Sequence, residues 1–248
     1  MPFYEREEKI IGMLMQKGSF SVNELASRLY ISVPTMRRDL IKLEKKGCIL
    51  RTLGGVSLNK NSADKEIPFI LREQEQDGAK TVMADAASKM ISDGNTIMLD
   101  GTTSAYHIVP YLSDFKNLVV ITSGTKASFA LGQMGITNIC TGGRMLDGSF
   151  SYVGDDACRT VMGYNADILF FSCRGVSEDG YLSDNSVDEN IVRRAMMSRA
   201  KKKFLLCDSS KFGKTYLNNL CHISELDGII SETELPEYLR NIDNAQKV

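Results

Sequence analysis

Residues 18–56 read GSFSVNELASRLYISVPTMRRDLIKLEKKGCILRTLGGV, and this stretch decides the architecture of the N-terminal part of the chain. Ser21 is a good helix N-cap, and Glu24 three residues later completes a capping box, which satisfies amides that a first turn leaves without partners. Leu25, Ala26 and Leu29 then share a face, and Tyr30-Ile31 carries the chain through a short turn. Ser32 caps a second helix, whose first turn accommodates Pro34 because amide hydrogens there have no helical acceptor. Met36, Leu40 and Leu43 give that helix an apolar stripe and leave Thr35, Arg37, Arg38 and Lys42 to face elsewhere. Gly47 stops it. Cys48 to Arg51 and Val56 to Leu58 then pair around Gly54-Gly55, glycines suited to the positive backbone angles of a tight turn. The spacing predicts a helix-turn-helix followed by a small β wing.

A helix of this kind fits the major groove, arginine can read guanine edges, and a basic wing can follow the phosphate backbone. The candidate DNA-binding residues are Ser32, Thr35, Arg37, Arg38, Lys42, Arg51, Gly54 and Gly55. Charge agrees: residues 1–60 hold eleven Lys or Arg against six Asp or Glu, and residues 61–248 hold nineteen against twenty-five, so a near-neutral chain hides a basic head on an acidic body. The competing reading is a small helical domain with an ordinary solvated charged face. The order cap, turn, second cap, stripe, basic helix and glycine wing favours DNA binding. Asp39, beside two arginines, either orients them or forms a salt bridge within the domain.

The run Thr35-Met36-Arg37-Arg38-Asp39-Leu40, followed by Leu43-Glu44, Gly47, Arg51 and Gly54-Gly55, resembles the N-terminal signature of the DeoR family of bacterial transcriptional regulators. The resemblance implies that Thr35, Arg37 and Arg38 lie at the DNA surface. Leu53 departs from it, standing where many members carry histidine or another polar residue.

At 248 residues the chain can hold such a head and one body with a substantial core. The expected organisation is a winged helix-turn-helix over 1–58, whose first helix spans 3–17, a linker over 59–78, and an α/β sensing and oligomerisation domain over 79–248. Six cysteines without a CxxC pair read as free thiols of a cytosolic protein rather than a disulfide framework. His107 and His222 have no neighbouring ligand set, so no metal is expected. No apolar run approaches the roughly 20 residues that span a bilayer, and the charged N-terminus lacks a signal-peptide core. The expected location is the cytoplasm.

From about Lys80 the pattern becomes cyclic. Val82, Ala86, Ala87, Met90 and Ile91 make an amphipathic helix; Asn95 to Leu99 is a strand ending at Asp100; a helix is expected from Ser104 towards Leu112. Further strands are expected at 118–121, 136–140, 166–171, 204–207 and 226–230, with a helix over 189–200. Apolar strands alternating with helices mark a Rossmann-like, mostly parallel sheet covered on both faces, whose ligands bind beyond the carboxyl ends of the strands. Small polar loops fall there. Asp100-Gly101-Thr102-Thr103-Ser104 can cradle a phosphate with helix-start amides and hydroxyls, while Asp100 itself suits sugar hydroxyls. Ser123-Gly124, Lys126, Gly142-Gly143 and Arg144 come from loops at the same edge and can add amides and a charged partner for a dianion. Glu189 and Arg193, four apart on one helix face, are either a surface ion pair or, through Glu189, a sugar-hydroxyl contact. Asp208 with Lys211 is either a local cap with a basic neighbour or part of the pocket wall.

The body resembles the same family in order: Asp100-Gly101-Thr102-Thr103, Val120 to Ser123, Gly142-Gly143, Val153-Gly154, Glu189 to Met197, and Cys207 to Gly213. This implies a fold similar to ribose-5-phosphate isomerase and the glucosamine-6-phosphate deaminase group, and a phosphorylated sugar metabolite as effector. Ser123 stands where asparagine is usual, and Arg193 where lysine is usual. The expected function is a transcriptional regulator, a repressor of sugar-metabolism genes, binding double-stranded operator DNA as a homo-oligomer, with no enzymatic activity and no cofactor. Two alternatives are a sugar-phosphate isomerase or deaminase carrying a DNA-binding head, and a regulator whose body only oligomerises.

Overall fold

The computed structural model describes residues 1–52, 55–59, 69–146, 148–242 and 247. They divide into two compact units, Met1–Glu75 and Gln76–Val248.

The first unit opens with α1 (Phe3–Lys17), which Gly18 closes at φ +85. Strand β1 (Ser19–Phe20) leads into α2 (Val22–Arg28), where the Ser21–Glu24 capping box forms in full. Ser32 caps α3 (Val33–Lys45) by accepting from the Thr35 amide. Ile10, Ile11, Leu14, Leu25, Met36, Leu40 and Leu43 are all fully buried in one core, so the stripe of α3 faces inward as its period requires. β2 (Ile49–Thr52) and β3 (Gly55–Leu58) pair antiparallel from Ile49↔Leu58 to Thr52↔Gly55. Gly55 is the first residue of β3, paired with Thr52 of β2. Its lack of a side chain answers a different need: a Cβ there would stand 2.5 Å from the Phe20 carbonyl oxygen of β1. Leu53, Gly54 and residues 60–68, which include nine residues of the expected linker, lie outside the described residues. The last part of the expected linker is helical. Phe69, Ile70 and Leu71 bury themselves in α4 (Phe69–Gln74), and Ile70 and Leu71 join the core of the head.

The second unit runs α5 (Asp77–Ser88), β4 (Thr96–Leu99), α6 (Thr103–Tyr106), β5 (Val119–Thr122), α7 (Thr125–Gln133), β6 (Thr137–Cys140), β7 (Arg144–Met145), β8 (Tyr152–Val153), α8 (Asp155–Met162), β9 (Ala166–Phe171), β10 (Gly175–Val176), β11 (Tyr181–Asp184), α9 (Val187–Arg199), β12 (Ala200–Leu206), β13 (Asn218–His222), β14 (Gly228–Ile230) and α10 (Glu237–Arg240). Six of the strands form an all-parallel sheet in the order β14-β12-β9-β4-β5-β6. Successive side chains of one strand divide between two cores: Met98, Leu169, Phe171 and Leu205 on one face, Ile97, Leu99, Ile168, Phe170, Phe204 and Leu206 on the other. The chain order reverses between β4 and β9, which makes the gap beyond their carboxyl ends the switch point of an α/β sheet.

Three features differ from the sequence expectation. The helix expected from Ser104 to Leu112 is one turn of α-helix followed by a 3₁₀ turn at Val109–Asp114, with Pro110 near its start. A three-stranded antiparallel sheet, β10-β11-β13, and the hairpin β7-β8 were not visible, because strands of two to five residues are too short to show alternation.

Candidate functional site

On the head, α3 presents a polar face beginning at its cap. Ser32 Oγ lies 2.9 Å from Thr35 Oγ1, and Arg37 and Arg38 project into solvent. Among the described residues these two arginines hold no ion pair or hydrogen bond through their side chains. Lys42 is also exposed and lies 4.5 Å from the centre of the Phe3 ring. Arg51, on the wing, sits 3.6 Å from Glu44. Asp39 takes the second of its two readings: it is buried, and Arg6 donates to both its oxygens at 2.6 and 2.9 Å. That fork fixes α1 against α3 and leaves Arg37 and Arg38 uncompensated. Gly54 lies outside the described residues.

In the second unit, the loop after β4 is built around Asp100. Its Oδ1 accepts from the Thr102 amide (3.1 Å) and hydroxyl (2.6 Å), while Oδ2 accepts from the Ser172 amide (3.3 Å) and from Arg193 Nε (2.9 Å). Thr102 in turn caps α6 through the Ala105 amide. Both carboxylate oxygens are thus engaged, and Asp100 holds the loop in place. Arg193 is buried and donates from Nη1 to Asp184 and Asn190, each at 2.9 Å. Burial opposes its charge, but Asp184, Asp100 and Glu189 together hold the guanidinium well above its ordinary value. Burial likewise pushes the Asp184 carboxyl up, and Arg193 with the Asn185 and Ser186 amides brings it below the usual range. The surface ion pair of Glu189 with Arg193 is not observed: Arg193 turns inward. Glu189 is 6 % exposed, and among the described residues its carboxylate accepts no hydrogen bond.

Around this network closes a cavity lined by Asp100, Gly101, Ser123, Ser151, Tyr152, Glu189, Val192 and Arg193. Its free volume is about 10 Å³, scarcely room for one water. Residues 150–152 are bonded to the loops around it: Ser151 Oγ donates to the Gly101 carbonyl (3.3 Å), the Tyr152 amide to the Ser123 carbonyl (2.7 Å), and the Thr125 amide to the Phe150 carbonyl (2.9 Å). Gly101 has no room for a Cβ, which would fall 1.9 Å from Ser151 Oγ.

Beside the cavity, Lys211 Nζ reaches Ser172 Oγ (2.7 Å), Asp208 Oδ2 (3.2 Å) and Ser104 Oγ (3.4 Å). Burial opposes the ammonium charge, and Asp208 more than restores it, so Lys211 stays protonated above the ordinary lysine range. Burial also works against the Asp208 carboxylate, and Lys211, Ser210 and Lys80 hold its pKa below the ordinary value. Asp100, Gly101, Ser123, Glu189 and Arg193 therefore meet at one cavity, with Ser104, Asp208 and Lys211 next to it and Thr102-Thr103 between. Gly124 approaches Gly101, since its Cβ would lie 3.3 Å from the Gly101 Cα. Four other expected residues belong neither to the lining nor to these neighbours. Lys126 sits 5.8 Å from the Tyr106 ring centre, Arg144 pairs with Asp188 on the surface, and Gly142 and Gly143 serve the backbone with φ +64 and +101. The sequence reading missed Ser151, Tyr152, Ser172, Asp184 and Lys80. Lys80 carried a signal: a lysine on the apolar side of α5, now 3 % exposed.

Comparison with known proteins follows these two units. The family model for the DeoR-like helix-turn-helix domain matches residues 6–62, and that for the DeoR C-terminal sensor domain matches residues 75–233. An uncharacterised HTH-type transcriptional regulator, YulB of Bacillus subtilis, is 31% identical over 93% of this chain and 89% of its own. The putative aga operon transcriptional repressor of Escherichia coli O157:H7 is 30% identical over 94% and 87%, and the L-fucose operon activator of Haemophilus influenzae 31% over 95% and 94%. Among solved structures, eIF2B delta from Chaetomium thermophilum aligns at TM-score 0.50 with 19% identity, over 66% of this chain and 59% of that one. Ribose 5-phosphate isomerase A from Methanocaldococcus jannaschii aligns at 0.40 with 20% identity, over 54% and 53%. The chain thus spans little more than half the length of these structures, and the likeness to eIF2B delta, at 19% identity, is one of fold.

Proposed function

The chain belongs to the DeoR family of helix-turn-helix transcriptional regulators, and from that premise we propose that it represses genes of sugar metabolism under the control of a phosphorylated sugar metabolite. Residues 1–58 are the operator-binding part; residues 79–248 sense the effector and assemble the homo-oligomer. A dimer or tetramer is required because one head reads too few base pairs for adequate specificity. Such work is done in the cytoplasm, and among the described residues no helix is long and apolar enough to cross a membrane.

The observation that carries the effector assignment is the Lys211 ammonium, held beside the Ser104 and Ser172 hydroxyls at the switch point between β4 and β9. A phosphate group meets a fixed cation and two hydroxyls there, while the Glu189 carboxylate in the adjoining cavity suits sugar hydroxyls. Sites for small ligands occupy roughly 300 Å³ or more, so the Phe150–Tyr152 segment must lift for the sugar to enter. The effector acts by binding more tightly to a state of poorer operator affinity; contact alone shifts nothing. Named relatives include both repressors and an activator. Repression is the reading adopted here.

The experiment is capture of genomic fragments by the full chain, with washes under a panel of sugar phosphates. Release of one discrete fragment by one compound is expected. Lys211→Met should retain the fragment and lose the release. Retention of every fragment under every compound would leave a DNA-binding protein whose body only oligomerises. Steady conversion of any panel member, abolished in Glu189→Gln, would favour the isomerase or deaminase reading.

A further inference from the structure

Tyr30 occupies a position that the fold of the head does not repay. Helix α2 ends in a Schellman-type turn: the Tyr30 amide donates to the Ser27 carbonyl (3.2 Å) and the Ile31 amide to the Ala26 carbonyl (3.0 Å). Tyr30 is the left-handed residue of that turn, at φ +52. Glycine is the usual occupant, with asparagine next, because any larger L side chain is strained there. Burial normally compensates such strain. Here the residue is 96 % exposed, and among the described residues it is the most exposed of the large apolar ones and its hydroxyl makes no hydrogen bond. A strained aromatic residue with no packing and no partner points to a partner outside the head.

Its place identifies the partner. Tyr30 precedes Ser32, the N-cap of α3, by two residues, and Arg37 and Arg38 extend from the same helix without compensating anions. In a helix-turn-helix the N-terminal residues of the second helix meet the base edges, so the chain just before them passes the sugar-phosphate strand at the groove's edge. A phenol has an apolar body for a deoxyribose and a polar tip for a phosphate oxygen. Resting on the operator-binding reading above, we propose that Tyr30 is a DNA-backbone contact, its ring packed on a deoxyribose and its hydroxyl donating to a phosphate. Such a contact adds affinity without sequence information, and, being uncharged, releases no counterion.

The test measures full-length chain, Tyr30→Asn, Tyr30→Phe and Arg38→Ala on two duplexes: the tightest recovered from a random-sequence library, and an unrelated one of equal length. For Tyr30→Asn the affinity falls by the same factor on both, roughly tenfold for one hydrogen bond to a charged group. The slope of log affinity against log salt is unchanged, and the thermal midpoint of the head rises as the turn relaxes. Tyr30→Phe reproduces part of the loss on both duplexes. Affinities of Tyr30→Asn within twofold of the parent, with Arg38→Ala weakened, overturn the proposal and leave the DNA-binding reading intact. Loss confined to the selected duplex overturns it in favour of a base contact. Dissociation of the oligomer by Tyr30→Asn in sedimentation overturns it in favour of a protein partner. If neither Arg38→Ala nor Tyr30→Asn alters binding to either duplex, the operator-binding reading itself fails.

Discussion

Arg193 is a single cation shared by two buried carboxylates, Asp100 and Asp184, each at 2.9 Å. Removing one partner of a buried ion pair typically costs about 3–5 kcal/mol, because the remaining charge stays desolvated. Arg193→Met strands two such charges. It should lower denaturant stability of the second unit by at least that range, read as a shift in its urea midpoint at unchanged slope. Two buried carboxylates also set a pH limit. Asp184 and Asp208 have folded pKa values below their ordinary ones, so their stabilisation is complete above the unfolded value of about 4 and is lost as pH falls through the folded values. Lys211 is raised, so its share is complete below about 10.4 and is lost as pH rises through the folded value. The thermal midpoint of this unit should hold a plateau between those limits, with an acid limb that Asp208→Asn makes shallower. Sequence spacing read Glu189 and Arg193 as neighbours on one helix. It had no means of showing that Arg193 turns to Asp100, 93 residues away in the chain.

Elements were legible where their ends are chemically marked. Ser21 with Glu24, Ser32, Gly18 and Gly47 delimit the helices of the head within a residue or two, because a cap is a local bargain between one side chain and one amide. Ser32→Ala should therefore cost the head about 1 kcal/mol in thermal or chemical unfolding. The second unit was readable where strands carry continuous apolar runs, as in Ile168–Phe171, and opaque where they are two residues long. Gly143 shows what stood behind one such blind spot. It was read as a supplier of ligand amides. Its φ of +101 and a Cβ position 2.6 Å from the Val153 carbonyl oxygen show that it lets β8 pass closely over the chain. Gly143→Ala should destabilise the second unit by more than 1 kcal/mol, since both strain and overlap oppose the methyl group. An unchanged melting curve would refute that reading.

At the scale of the whole molecule, alternation of strand and helix was enough to announce a parallel sheet, and the polar loops point to its carboxyl edge as the candidate site. The strand order was not legible, because neighbours such as β4 and β9 are joined by contacts that no local pattern encodes. Charge segregation, by contrast, could be counted directly. The head carries the excess of Lys and Arg, and the body the excess of Asp and Glu. Duplex affinity should fall linearly in log–log form as salt rises, and Arg37→Ala or Arg38→Ala should each reduce the steepness by about 0.9 if the side chain neutralises one phosphate. A slope equal to that of the parent would assign the arginine to a base edge alone.

The strap of Phe150–Tyr152 over the cavity has a kinetic consequence. An effector that waits for the strap to lift has an apparent dissociation constant equal to its intrinsic one divided by the fraction of molecules open. Its arrival rate stops rising with concentration once every opening is used. On the proposed effector site, the speed of the transcriptional response above that ceiling is set by the hydrogen bonds from Ser151 to Gly101 and from Tyr152 to Ser123, and no longer by how much sugar is present.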